Sequence, residues 1–155
     1  MAEGHPHSLA YAEFFVCILR QLRREAHAAQ ENAEKAIALS AERDLTDFSF
    51  WTTCVRGWVI AEQGRSEVGI AQIREGLSAA CATGAEINRP YYLCLLAEAC
   101  TKTGRLDDGL SALTQALAAA DEREERSYEV EIHRLKGELL LKAEQFQRIR
   151  GSELL

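Results

Sequence analysis

The chain has 155 residues, a net charge of −6 and only two prolines, Pro6 and Pro90. That length suits one domain with a buried core, and the acidic balance speaks against a nucleic-acid partner, which needs a basic face. No apolar run approaches the roughly 20 residues that span a bilayer, and Met1-Ala2-Glu3-Gly4-His5 lacks the charged-then-apolar layout of a signal peptide.

Leu, Ala and Glu abound, and Val, Ile and Thr never form an alternating run, so the expectation is all-helical. In chain order the first helix is expected over about 8–23, opened by Pro6 with Ser8 as cap, and its partner over about 26–43. A second pair follows at about 50–63 and 66–83. Gly64 suits a left-handed stop between them and Ser66 a cap for the next helix. A third pair falls at about 90–103 and 107–123, with Gly104 as stop, Asp107 as cap and Pro90 in the first turn. A closing helix is expected over 127–143. Residues 144–155 form a tail, in which Phe146 and Ile149 continue this helix or begin a truncated partner helix, or which frays.

These elements repeat every 40 residues. Cys17, Gly57, Ala97 and Gly137 fall in one column, and Phe15, Val55, Leu95 and Leu135 in another. Ala29, Gly69 and Gly109 form a column of small residues, as do Ala36, Gly76 and Ala116. A period of this size marks stacked supersecondary units, because one helical hairpin cannot bury its own apolar stripe.

The spacing Gly57-Gly64-Gly69-Gly76, met again as Ala97-Gly104-Gly109-Ala116, resembles the tetratricopeptide repeat. The first unit keeps Cys17, Ala29 and Ala36 with Arg24 at the turn. The period of 40 exceeds that family's usual 34. The stretches 4–11, 56–64, 69–74 and 133–141 look like the divergent class at the C-terminal end of bacterial signal-transduction ATPases and adenylate or guanylate cyclase-like regulators. The resemblance implies a right-handed superhelical solenoid of about seven helices. It places repeats at about 8–45, 48–85 and 88–125 and the repeat domain over 1–143. No ATPase or cyclase domain accompanies it.

Catalytic motifs are missing. Gly64 and Gly69 have the glycine spacing of a phosphate loop, but Ile70 and Ala71 follow where Lys and Ser or Thr would be needed. The four histidines, His5, His7, His27 and His133, do not assemble a metal-ligand set in the sequence. The five cysteines, Cys17, Cys54, Cys81, Cys94 and Cys100, lie inside helices and suit a reducing compartment. A non-enzyme without cofactor or metal, in the cytoplasm, is expected.

In the resembled fold the first helix of each pair lines a concave groove. Carried over at 3–4 spacing, the groove is Tyr11, Phe14 and Ile18, then Trp51, Cys54 and Trp58, then Tyr91, Cys94 and Glu98, and last Arg134 and Glu138. Trp51, Trp58 and Tyr91 would anchor a peptide or protein segment, and Arg134 or Glu98 would select it. Ordinary core packing is the competing role for the tryptophans. Two other functions compete. One is self-association, as in a homodimer, through the last helix and tail, where Phe146, Ile149, Leu154 and Leu155 are apolar. The other is small-molecule sensing, as in regulatory ATPases.

Overall fold

The computed structural model describes residues 6–42 and 48–153. Among these residues the chain is all-helical, with seven α-helices, one 3-10 turn and no strand. The helices are α1 (Pro6–Leu22), α2 (Ala26–Glu42), α3 (Ser49–Glu62), α4 (Ser66–Thr83), α5 (Arg89–Lys102), α6 (Leu106–Arg123) and α7 (Glu129–Glu153). The 3-10 turn Arg126–Tyr128 precedes α7. Leu154 and Leu155 lie outside the described residues.

Two compact units divide the chain, Met1–Ile87 and Asn88–Leu155. In the first, α1 packs on α2, α3 on α4, and α2 on α3. In the second, α5 packs on α6, and α7 on both α6 and α5.

Backbone geometry carries the 40-residue period. The turns of the three hairpins place Arg24, Gly64 and Gly104 at φ of 62°, 87° and 73°. Around each, the same two hydrogen bonds close the helix end. The N–H groups of Glu25, Arg65 and Arg105 donate to the carbonyls of Arg20, Ile60 and Cys100. Those of Arg24, Gly64 and Gly104 donate to Gln21, Ala61 and Thr101. This pair of bonds satisfies carbonyls that a helix terminus would otherwise leave unpaired. A second set ends α4 and α6, with Gly84 at φ 72° and Glu124 at φ 56°. There Ala85 donates to Ala80 and Glu125 to Ala120.

The expected caps are not used. Arg65 and Arg105 occupy the N-cap positions of α4 and α6, with no side-chain capping bond. Ser66 Oγ donates back to the Ala61 carbonyl, and Asp107 lies in the first turn of α6. One residue follows the left-handed glycine before the next helix begins, so Ser66 and Asp107 are already helical. Ser8, likewise, is inside α1, which starts at Pro6.

Small residues let the paired helices touch. A Cβ added at Gly57 of α3 would lie 2.7 Å from the Gly69 carbonyl oxygen of α4. One at Gly76 of α4 would lie 2.5 Å from Cys54 Sγ and from the Phe50 carbonyl of α3. The column 17/57/97 therefore faces the helix's own partner, and so does Cys54. Cys17 Sγ donates to Ala29 O at 3.4 Å, and Cys54 Sγ to Ile73 O at 3.5 Å. The columns 12/52/92/132, 15/55/95/135 and 19/59/99/139 lie on the opposite side of the first-type helices, the helices that open each hairpin. In α3 that side meets α2 and in α7 it meets α6.

The last helix does not stop at 143. It continues to Glu153, with every residue from 144 to 150 exposed. Glu144 holds the register of Arg24, Gly64 and Gly104 but stays helical. Of the readings of the tail, continuation of the helix is the one seen over residues 144–153.

Candidate functional site

Six of the eleven groove residues are core. Trp51 and Trp58 are 7% and 1% exposed, and Phe14, Cys54, Tyr91 and Cys94 are also buried. Cys54 fills the seam between α3 and α4, its Sγ donating to the Ile73 carbonyl. Phe14 stacks on Phe48, which precedes α3, at 5.5 Å between ring centroids. Trp51 lies edge-on to Phe50 at 4.9 Å. Trp58 carries the Arg24 guanidinium 5.8 Å from its ring centroid, a cation–π contact that fixes the left-handed turn residue of the first hairpin against α3. As exposed anchors these residues are unavailable; ordinary packing is their role. Ile18 is half-buried and Tyr11 is exposed, edge-on to Phe15 at 5.0 Å and Phe48 at 5.2 Å.

The polar residues of the strip do converge, on the second unit. Arg134 of α7 forks between two carboxylates of its own helix. Its Nε and Nη2 donate to the two oxygens of Glu131 at 2.8 and 2.6 Å, and its Nη1 to Glu138 Oε1 at 2.5 Å. The fork matches the planar, two-oxygen geometry that guanidinium groups favour. The Glu131 hydrogen bonds, with the nearby charges of Glu131, Glu138 and Glu98, hold the Arg134 guanidinium well above its ordinary pKa. Glu98 of α5 is half-buried, while Arg134 and Glu138 are exposed.

Beneath this frame lie Cys94 and a tyrosine pair. Burial pushes the Cys94 thiol up to about 12, with Glu131 and Glu98 adding to the shift and Arg134 opposing it. Tyr91 packs against Tyr128 at 5.5 Å and Tyr92 at 4.8 Å. Burial, then Glu125 and Cys94, raise the Tyr128 hydroxyl above its usual value. Three carboxylates thus surround one guanidinium over an aromatic and thiol floor. The balance is negative, so the frame attracts cations. Arg134 is bound by carboxylates already and does not present itself as a clamp for an acidic group.

Glu131 was absent from the expected strip, although its register announces it: 131 continues the column of Tyr11, Trp51 and Tyr91 and lies three residues before Arg134.

Other chemistry is sparse. Among the described residues no three His, Cys, Asp or Glu side chains are placed to hold a metal ion. His5 lies outside the described residues. His7 stacks on Tyr11, and His27 lies 3.7 Å from Glu31. An open cleft of about 340 Å³ on the first unit is lined by Ser49, Phe50 and Thr53 of α3 and Glu75, Gly76, Ala79 and Thr83 of α4. Thr53 and Thr83 donate their hydroxyl protons to the carbonyls of Ser49 and Ala80. Among the described residues no helix is long and apolar enough to cross a membrane. Comparison of the chain with protein-family models and with curated proteins found no match.

Proposed function

We propose that this protein is a non-catalytic interaction module of tetratricopeptide-like hairpins, arranged as a right-handed solenoid, that binds a peptide or protein segment on its first-type helices. The observation that carries it is the repeated backbone: three hairpins whose left-handed turns and paired closing bonds recur every 40 residues. Repeat scaffolds of this kind present surfaces to partners. A role in bacterial signalling or transcriptional regulation, in the cytoplasm, belongs to the same reading.

The frame of Glu98, Glu131 and Glu138 around Arg134 is the selecting element, and its negative balance favours a segment rich in Lys or Arg. A peptide-display library panned against the whole chain tests this. Basic sequences should be enriched, their binding should fall with added salt, and the Glu98→Gln/Glu131→Gln/Glu138→Gln variant should lose them. A pool without enrichment, or binders indifferent to the triple substitution, would count against it.

Self-association through α7 is the second reading. Leu140, Leu141, Phe146 and Ile149 are exposed there. Lys142, Glu144, Arg148 and Arg150 interrupt them, so the surface is mixed, which weakens it as a stable contact.

A further inference from the structure

The α3–α4 hairpin carries a cleft of about 340 Å³. Small-ligand sites range over roughly 300–1,000 Å³, so it falls at the lower end. Ser49 and Thr53 stand four residues apart on α3. Glu75, Ala79 and Thr83 follow the same interval on α4, so each helix offers one stripe to the cleft. Gly76 brings the two backbones together there, since an added Cβ would stand 2.5 Å from the Phe50 carbonyl.

Packing of a hairpin does not require this lining. One period on, α5 and α6 carry Arg89 and Leu93 in place of Ser49 and Thr53, and Gln115 and Arg123 in place of Glu75 and Thr83. Leu93 is 1% exposed, so core stands where the Thr53 hydroxyl stands in α3. One period back, α1 and α2 carry Leu9 and Glu13, and Lys35 in place of Glu75. Lys35 reverses the charge, and Glu13 already accepts a 2.6 Å hydrogen bond from Asn32. The other hairpins close without this combination of hydroxyls and carboxylate.

The chemistry of the lining narrows what can bind. The Thr53 and Thr83 hydroxyls have given their protons to backbone carbonyls, so each oxygen offers only acceptor lone pairs. Glu75 is the one charged side chain of the lining. It is exposed and makes no ion pair or hydrogen bond with another described residue. Ser49 opens α3 and Thr83 closes α4. The positive end of one helix and the negative end of the other therefore meet at the cleft and offset each other, which leaves Glu75 to set the sign. Phe50, Gly76 and Ala79 supply apolar surface. Because Gly76 packs on Phe50 and Cys54, its neighbour Glu75 lies at the same level of the hairpin as Thr53.

We propose that the α3–α4 cleft is a binding site for a small primary alkylammonium ion. The ammonium donates to the Glu75 carboxylate and the Thr53 hydroxyl oxygen, a charge-assisted arrangement, and its hydrocarbon stem lies against Phe50 and Ala79. The site belongs wholly to the first unit and is separate from the carboxylate frame on α5 and α7.

Titration of the full isotope-labelled chain with pentylammonium, followed through its backbone amide NMR signals, tests it. Pentanoate and pentanol serve as anionic and neutral controls of the same length. Pentylammonium should move the signals of Thr53, Glu75 and Ala79 along a saturable curve, and neither control should saturate them. Glu75→Gln should weaken binding by about fivefold or more. Ala79→Leu, which fills the cleft from an exposed position, should abolish it. The Glu98→Gln/Glu131→Gln/Glu138→Gln chain should bind pentylammonium as the wild type does. Failure of pentylammonium to saturate those signals overturns the proposal. So does pentanoate binding as tightly, binding that Glu75→Gln leaves unchanged, or binding that the triple substitution removes.

Discussion

Glycine has opposite meanings at different positions of this chain. At Gly69 an added Cβ would collide with the Gly57 carbonyl and with Ala61 on α3, backbone included. Gly69→Ala is therefore expected to destabilise by about 1–3 kcal/mol, the usual cost of overpacking. Gly137 is helical and open, with nothing within 4 Å. Gly137→Ala should stabilise by about 0.5–1 kcal/mol through the lost flexibility of the unfolded chain. Urea unfolding of the two variants checks both signs. The cysteines divide in the same way. Burial pushes the Cys17 thiol up to about 12 from its ordinary 9.0, and Cys94 moves equally far. Both bind their proton more tightly folded than unfolded. The stability they contribute is complete below pH 9 and is lost as pH rises towards 12. Alkaline unfolding in that window should shrink in a Cys17→Ala variant, and thiol labelling at neutral pH should find the exposed Cys81 well before Cys17 or Cys94.

At the scale of elements, the hairpins were legible because Gly64 and Gly104 mark their turns at a 40-residue interval. The ends of the array were not. Arg24 and Glu124 take the left-handed conformation without being glycine, whereas Glu144, in register with Arg24, continues a helix. The difference is tertiary. Arg24 lies over Trp58 and begins a chain reversal that α2 completes by packing on α1. At Glu144 no such contact is made: the residue is exposed and α7 runs through it to Glu153. Two consequences can be measured by thermal unfolding. Glu124→Gly should gain about 1 kcal/mol and Gly104→Ala should lose about as much, since only glycine enters this region without strain. Ending the chain after Gln145 should remove helical signal yet change stability by no more than about 0.5 kcal/mol, because residues 144–150 are exposed.

At the scale of the molecule, the aromatic strip misled where the columns did not. Trp51, Trp58 and Tyr91 share one face of their helices, but first-type helices are packed on two sides, so a face chosen by spacing alone can still be interior. Which side stays open depends on which neighbour is missing, and that shows only when the columns are compared along the chain. The comparison gives Phe15 and Leu19 as open counterparts of the buried Val55 and Val59, and Arg134 as the polar occupant of a column otherwise filled by Phe14, Cys54 and Cys94. The central claim is that these columns, repeated every 40 residues, decide what is core and what is surface. A scan of single Glu substitutions, read as folding stability of the dilute monomer, tests it most directly. Glu at positions 54, 55, 59, 94, 95, 99, 135 and 139 should cost more than about 3 kcal/mol, the price of burying an unpaired charge. Glu at 15, 19 and 137 should cost less than about 1 kcal/mol. If Phe15→Glu and Leu19→Glu unfold the monomer as severely as Val55→Glu and Val59→Glu, or if tolerance shows no 40-residue period, the account is wrong.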